Sequence, residues 1–167
     1  MSAVSNGPAD VESAAPPLAP APVSSIDAVT RARLVTVGVD ALLAEVAARL
    51  SSTQISLVVV CDAAGAMVGV VTETILVRQL GYGQASVFTT RAGEVITREF
   101  DACRPADSLP EVLAMMQRRG LIHVPVVDAD NKPIGVLNAR DGLRALLEQG
   151  HYEESLLRNY VMGIGYQ

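Results

Sequence analysis

Apolar residues recur at helical spacing in two places along the chain, and each place predicts an amphipathic helix. The first stripe consists of Leu43, Val46, Ala47 and Leu50. The second consists of Leu109, Val112, Leu113 and Met116. Ser108 and Glu111 have the spacing of a capping box, in which a serine and a glutamate three residues later exchange hydrogen bonds with the backbone. The second helix is therefore predicted to begin at Ser108.

Nearly continuous apolar runs follow each of these helices and predict strands with little exposure to solvent. They span residues 57–61 and 67–72 after the first helix, and residues 123–127 and 133–137 after the second. A turn containing Asp with Gly or Asn separates the two strands in each case. Short extended pieces at residues 34–37 and 100–103 precede the helices. Closing helices are predicted at residues 73–80 and 139–147.

The two halves of this pattern are copies of each other. A shift of 66 residues places Asp62 on Asp128 and Gly69 on Gly135, without gaps over a long stretch. Repeats of this size usually bury their apolar faces against one another. The predicted fold class is therefore α+β, with two β-α-β-β-α repeats in a pseudo-twofold pair. We place the repeats at residues 26–84 and 85–150.

The two ends of the chain differ from the repeats. Residues 1–25 are rich in Ala, Pro and Ser and predict a disordered leader. Residues 151–167 predict a C-terminal helix and tail. The apolar face of that helix, packed on the body or on a second subunit, would consist of Leu156, Leu157, Tyr160 and Val161.

Charge and composition narrow the function classes. The chain has 13 Lys and Arg residues against 18 Asp and Glu, which argues against nucleic-acid binding. No apolar run reaches the roughly 20 residues that a membrane span needs, and no secretory signal begins the chain. We therefore expect a cytoplasmic protein. Cys61 and Cys103 lie in separate apolar runs and are expected to be buried free thiols.

The second repeat carries two recognisable segments. Residues 122–128 are an apolar run with a proline and a final aspartate, and residues 135–141 run from a glycine through apolar residues to Asp141. Residues 57–62 and 69–75 are the related segments of the first repeat. Over about residues 26–150 the sequence resembles the CBS (cystathionine-β-synthase) domain family, and above all small bacterial proteins consisting only of a CBS pair. Two copies at a common offset make this resemblance specific.

The resemblance implies a Bateman module, in which two CBS repeats form a pair and pairs often assemble into homodimers. In the family, clefts between the repeats hold AMP, ADP, ATP, NAD(H) or S-adenosylmethionine. The usual role is sensing or regulation rather than catalysis. The chain is therefore expected to bind an adenosyl ligand, to form a homodimer, and to act on an effector protein that the sequence does not identify.

The resemblance assigns Asp141 as the acid that binds the ribose, because a carboxylate accepts hydrogen bonds from two adjacent hydroxyl groups. Asn138 stands where the family usually has Thr or Ser. Arg140 lies near a helix start, where a guanidinium can reach a phosphate. Two alternatives stay open: Asp141 caps its helix, and Arg140 is a solvated surface residue.

Four further residues border the same cleft in the resemblance: Ile55, Ser56, Ile122 and His123. His123 is either a phosphate contact or a core histidine with satisfied hydrogen bonds. It is the only histidine in the repeats, and no cysteine-rich cluster accompanies it, so a metal site is not expected.

The first repeat departs from the family because Ile75 occupies the position of the acid. Loss of a charged hydrogen bond weakens binding by about tenfold to a hundredfold. We therefore expect one strong site at Asp141 and one weak or empty site at the first motif. The residues expected at this first cleft are Thr72, Thr74, Ile96 and Thr97. Thr72 and Thr74 are alternatively packed hydroxyls at a strand end.

Two other function classes compete with the sensor. An enzyme is disfavoured because the sequence has no phosphate-binding loop, no dinucleotide fingerprint and no nucleophile elbow. The other is a degenerate CBS pair that only dimerises or docks a protein, in which Ile75 and Asn138 mark a lost ligand site. The response to adenosyl ligands separates this second class from the sensor.

Overall fold

The computed structural model of the chain describes residues 19–53, 55–83 and 86–164. It has the predicted α+β class, with two similar halves. The elements in chain order are a 3-10 helix Val23–Ile26, α1 Asp27–Ala32, β1 Thr36–Gly38, α2 Leu43–Thr53, β2 Leu57–Cys61, β3 Met67–Thr72, α3 Glu73–Gly81, α4 Ala92–Val95, α5 Leu109–Arg119, β4 His123–Val127, β5 Pro133–Asn138 and α6 Ala139–Ile164.

The two halves contain sheets of different size. In the first, β1 pairs parallel with β2, and β2 pairs antiparallel with β3. In the second, β4 and β5 form an antiparallel pair, and a single parallel bridge from Cys103 to Val126 replaces a strand. The extended piece predicted at residues 100–103 therefore forms only one bridge, at Cys103, and not a strand. Val39 donates its N–H to the carbonyl of Cys61, whereas its counterpart Pro105 has no N–H to donate.

The continuous apolar strands are explained by burial on both faces. Along β2, Val58 and Val60 pack in the core of the first repeat. Leu57 and Val59 alternate with them and face a separate cluster. That cluster contains Val127 and other residues of the second repeat, so it is the interface between the repeats.

The segment that leads into each repeat packs on the other repeat. Val23 is buried in the core of the second repeat, and Ala92 is buried in the core of the first. The N–H of Leu109, which begins α5, donates to the carbonyl of Ala21 at 2.8 Å. The N–H of Leu43, which begins α2, donates to the carbonyl of Thr90 at 3.0 Å. This exchange ties the repeats together at both helix starts.

Three predictions about the chain's organisation need correction. The leader boundary predicted at residue 25 falls within the 3-10 helix, where Val23 is 1% exposed. The capping box at Ser108 is not formed: Ser108 is the N-cap of α5, but its buried hydroxyl has no hydrogen-bond partner among the described residues. The helices predicted at residues 139–147 and in residues 151–167 are one helix, α6, which runs through Gly150. The apolar face of Leu156, Leu157, Tyr160 and Val161 falls on side chains outside those described.

Candidate functional site

A cavity of about 480 Å³ lies between the two repeats. The first repeat contributes residues 56–57, where β2 begins, and residues 72–75, where β3 passes into α3. The second repeat contributes Thr97, residues 99–101 and residues 120–123. We call this cavity the open cleft. Its volume lies within the range of about 300–1,000 Å³ that small-molecule sites usually have.

Six of the residues predicted for a site line the open cleft: Ser56, Thr72, Thr74, Thr97, Ile122 and His123. Thr72 also caps α3, because its hydroxyl oxygen accepts from the N–H of Ile75 at 3.2 Å. Ile122 is 65% exposed although it is apolar, which leaves a hydrophobic surface at the mouth of the cleft. Ile75, in the position of the acid, contributes an apolar wall.

His123 connects the two repeats at this cleft. Its Nδ1 lies 2.8 Å from the hydroxyl of Ser56, and its Nε2 lies 2.8 Å from the amide nitrogen of Asn138. The amide oxygen of Asn138 accepts from the N–H of Arg140, so the amide nitrogen faces His123 and donates. Nε2 is therefore the acceptor, and the ring is neutral with its proton on Nδ1. His123 is a satisfied histidine that also lines the open cleft.

Burial lowers the pKa of His123 below its ordinary value of 6.5, and the positive charge of Arg33 lowers it further, while Asp141 and Glu73 act in the opposite direction. The folded chain therefore takes up this proton less readily than the unfolded chain. Above the unfolded pKa of about 6.5 the ring is neutral in both states, and its hydrogen bonds contribute fully to the free energy of unfolding. As the pH falls below this value, the unfolded chain binds the proton more readily than the folded chain, and this contribution is lost.

The free energy of unfolding of the wild type is expected to fall between pH 7.5 and 5.5 more steeply than that of His123→Gln. The difference in slope is at most about 1.4 kcal/mol per pH unit, the value for one proton. Urea unfolding at several pH values measures it, with the exposed His151 substituted by Gln as the matched control. Equal slopes for the wild type and His123→Gln would contradict the neutral, hydrogen-bonded ring.

Asp141 does not line the open cleft; Arg33 binds its carboxylate. The Nε of Arg33 donates to Oδ2 of Asp141, and the Nη2 donates to Oδ1 at 3.0 Å. The side chain of Asp141 is 9% exposed and that of Arg33 is 31% exposed. Asn138, not Asp141, caps the start of α6. The carboxylate expected to bind a ribose is thus held by an arginine from the end of α1.

The remaining predicted site residues do not line the open cleft. The side chain of Arg140 is exposed and forms no ion pair with any residue that the structure describes. Ile55 is 5% exposed, and Ile96 packs against the core of the first repeat.

Sequence reasoning missed Arg33, Glu99 and Asp101. Glu99 and Asp101 flank Phe100, and all three line the open cleft. The internal repeat could have indicated two of them, because Arg33 and Glu99 are 66 residues apart. Each is followed by an apolar residue that packs at the interface between the repeats. Asp101 also pairs with Arg119, across 3.2 Å.

The two cysteines are free thiols. Cys103 is buried, and burial together with the nearby charge of Asp107 raises its pKa to about 12. Cys61 is only half-buried, which corrects the expectation of full burial, and its pKa is also raised, by burial and then by Asp62. Both thiols are therefore protonated and weakly nucleophilic near neutral pH.

Two β-α-β-β-α halves that face each other across such a cleft define a CBS domain pair. The chain belongs to the CBS domain family, whose model matches residues 23–82 and 92–148. No curated protein matches the chain.

Several solved structures share this fold. A CBS-domain containing protein from Agrobacterium tumefaciens is 28% identical, covers 67% of this chain and 88% of its own, and has a TM-score of 0.59. The protein CBSX2, solved with AMP, is 22% identical, with 77% and 98% covered and a TM-score of 0.66. The CBS domain pair of the protein MJ0100, solved with 5′-methylthioadenosine and S-adenosylmethionine, is 19% identical, with 78% and 98% covered and a TM-score of 0.65.

No described helix is long and apolar enough to cross a membrane. No group of three or more His, Cys, Asp or Glu side chains in the described ranges has an arrangement that would hold a metal ion.

Proposed function

We propose that this chain is a non-catalytic regulatory module that binds an adenosine-containing ligand in the open cleft. The observation that carries the proposal is the cavity itself, about 480 Å³ in volume and walled by both repeats. Ligand binding there would connect the repeats through groups from each, as a sensor requires. The ligand-bound structures of CBSX2 with AMP, and of MJ0100 with 5′-methylthioadenosine and S-adenosylmethionine, support the ligand class.

The lining of the open cleft suits a nucleoside. Apolar side chains such as Ile75, Phe100 and Ile122 offer surfaces for the faces of an adenine ring. The hydroxyl groups of Thr74 and Thr97, and the carboxylates of the lining, offer partners for the ribose. The proposal thus reverses the order of the two sites expected from the sequence. A ligand that uses Asp141 must first displace Arg33, whereas the open cleft needs no ion pair to be broken.

Thermal unfolding of the purified chain against AMP, ADP, ATP, NAD, NADH, adenosine and S-adenosylmethionine tests the proposal. A ligand present at a hundred times its dissociation constant stabilises the folded state by about 2.7 kcal/mol. We expect a concentration-dependent rise in the unfolding temperature with at least one of them. The absence of a rise with all seven would contradict the sensor function.

A second candidate function is a degenerate pair that only dimerises or docks a protein partner. The ion pair between Arg33 and Asp141 favours it, because it occupies the acid that the family uses for ribose. Exposed apolar side chains favour it as well, since clustered apolar surface commonly marks a protein interface. Those on α3 and α6 are Val77 at 68%, Leu80 at 41%, Leu143 at 54% and Leu147 at 65% exposure.

Both candidates include a homodimer formed through these helices. Light scattering is expected to give twice the monomer mass for the wild type at micromolar concentration. The variant Val77→Glu with Leu143→Glu is expected to be monomeric, because it places charges in a buried apolar interface. The matched control carries glutamate at the exposed Ala48 of α2 and is expected to remain dimeric. A wild-type monomer would contradict the dimer.

A further inference from the structure

We infer that the open cleft selects adenosyl ligands that carry no phosphate, such as a nucleoside or a sulfonium-bearing adenosyl compound. The inference rests on the proposed function and narrows its ligand class. It follows from the charges that line the cleft and from a comparison of equivalent positions in the two repeats.

Acidic side chains dominate the charge of the open cleft. Glu73, Glu99 and Asp101 line it, and no Lys or Arg does so among the described residues. Asp101 is partly neutralised by Arg119, but neither Glu73 nor Glu99 has an ion-pair partner in the described ranges. The remaining titratable group of the lining, His123, is neutral through its bonds to Ser56 and Asn138. A phosphate placed here meets the unpaired carboxylates of Glu73 and Glu99, and no described cation lines the cleft to offset them.

The start of α3 does not supply an anion site either. A helix N-terminus attracts anions through free N–H groups and its dipole. Here the hydroxyl oxygen of Thr72 already accepts from the N–H of Ile75, and the carboxylate of Glu73 occupies the first turn. The start of α3, which could otherwise attract a phosphate, is therefore capped by Thr72 and carries the negative charge of Glu73.

The internal repeat offers a comparison within one molecule. Arg33, which binds Asp141, and Glu99, which lines the open cleft, are 66 residues apart and so occupy equivalent positions. In the same way, Arg140 is equivalent to Thr74 of the open cleft. The same scaffold therefore carries two cations near Asp141, and a carboxylate and a hydroxyl at the equivalent positions of the open cleft.

At one pair of equivalent positions the open cleft carries less negative charge, because it has Ile75 where the second repeat has Asp141. Asp141, however, is neutralised by its ion pair with Arg33, so the difference in charge between the two sets of positions remains. Carboxylates are compatible with a nucleoside because they accept hydrogen bonds from its hydroxyl groups. The lining thus opposes the phosphate of a nucleotide while leaving partners for its ribose.

Isothermal titration calorimetry with the full chain tests the inference, with adenosine, 5′-methylthioadenosine, S-adenosylmethionine, AMP and ATP as probes. At low salt, phosphate-free probes are expected to bind at least about tenfold more tightly than AMP, a ratio that narrows at high salt as the charges are screened. In Glu99→Gln and Glu73→Gln the ratio of the AMP to the adenosine dissociation constant is expected to fall. A change that affects ribose binding alone cancels in this ratio.

The matched control is Glu111→Gln, an exposed acid on α5 that does not line the cleft, and its ratio is expected to equal that of the wild type. Binding of AMP as tight as that of adenosine, at low salt, would overturn the charge selection and leave the proposed function standing. Absence of binding by all five probes would instead overturn the proposed function, and the inference with it.

Discussion

Replacement of Gly135 by alanine is expected to lower the free energy of unfolding by about 1–3 kcal/mol, the usual cost of overpacking a core. A Cβ at this position would lie 2.7 Å from the hydroxyl oxygen of Thr30 and 3.0 Å from its carbonyl carbon. Backbone atoms of α1 must therefore move away from β5. Because α1 belongs to the first repeat and β5 to the second, the substitution loosens the contact between the repeats.

Urea unfolding measures the change in the free energy of unfolding, and two further glycine variants serve as comparisons. Gly69→Ala, at the equivalent position, should be comparably destabilised, since its Cβ would lie 2.7 Å from the carbonyl oxygen of Thr97. Gly150→Ala is the matched control: a Cβ there meets nothing within 4 Å, and the residue lies inside α6. It should stabilise the chain by about 0.5–1 kcal/mol through helix propensity. Wild-type stability of Gly135→Ala would contradict the close packing of α1 on β5.

Loss of the carboxylate at Asp141 is expected to reduce the free energy of unfolding by about 2 kcal/mol. Asp141→Ala leaves the partly buried guanidinium of Arg33 without its two hydrogen bonds. Arg33→Met should cost at least as much, because it leaves the more deeply buried carboxylate of Asp141 without its ion-pair partner. The double variant should be more stable than the sum of the single effects predicts, by about 1 kcal/mol or more.

A second double-mutant cycle provides the control from the same helix. Arg31 and Asp27 form an ion pair across 2.8 Å, but their side chains are 66% and 39% exposed. Exposed pairs contribute about 0–1 kcal/mol, so the coupling energy of this cycle should be the smaller. Equal coupling energies in the two cycles would contradict the expectation that the buried position of the Arg33–Asp141 pair strengthens it.

The parts of the fold that local pattern determines were predicted closely. The predicted bounds of β2, β3 and β4 agree with the structure, because each strand is buried on both faces and reads as an apolar run that polar turns bound. The break predicted near Gly150 was wrong, because a single glycine costs a helix only about 1 kcal/mol and neighbouring residues carry α6 through it.

Features that depend on distant contacts were not predictable from local pattern. Helix α1 has no buried apolar side chain, and it is placed by its fit against β5, where Gly135 leaves room. The start of α5 likewise depends on a distant contact, because the carbonyl of Ala21 accepts from the N–H of Leu109.

In the candidate site, too, local motifs were predictable and distant contacts were not. The family motif located Thr72 at the open cleft, but it assigned Ser56, Ile122 and His123 to the cleft of Asp141, whereas the structure places them in the open cleft with Thr72. It also directed attention to Asp141, whose partner Arg33 lies 108 residues earlier and so left no trace in the local sequence. The open cleft consequently lies at the first motif, where the acid is missing, and its carboxylates come from residues that lead into the second repeat.

Ligand binding in the open cleft is the central claim, and calorimetric titration of a cleft-blocking variant tests it most directly. Thr74→Trp fills the cleft from an exposed position in the first turn of α3, and Thr89→Trp makes the same change at an exposed position that does not line it. Adenosine and AMP are titrated into both variants and the wild type. We expect at least one of them to bind the wild type and Thr89→Trp equally and to bind Thr74→Trp at least about tenfold more weakly. Unchanged binding by Thr74→Trp, or no binding to the wild type, would contradict the claim.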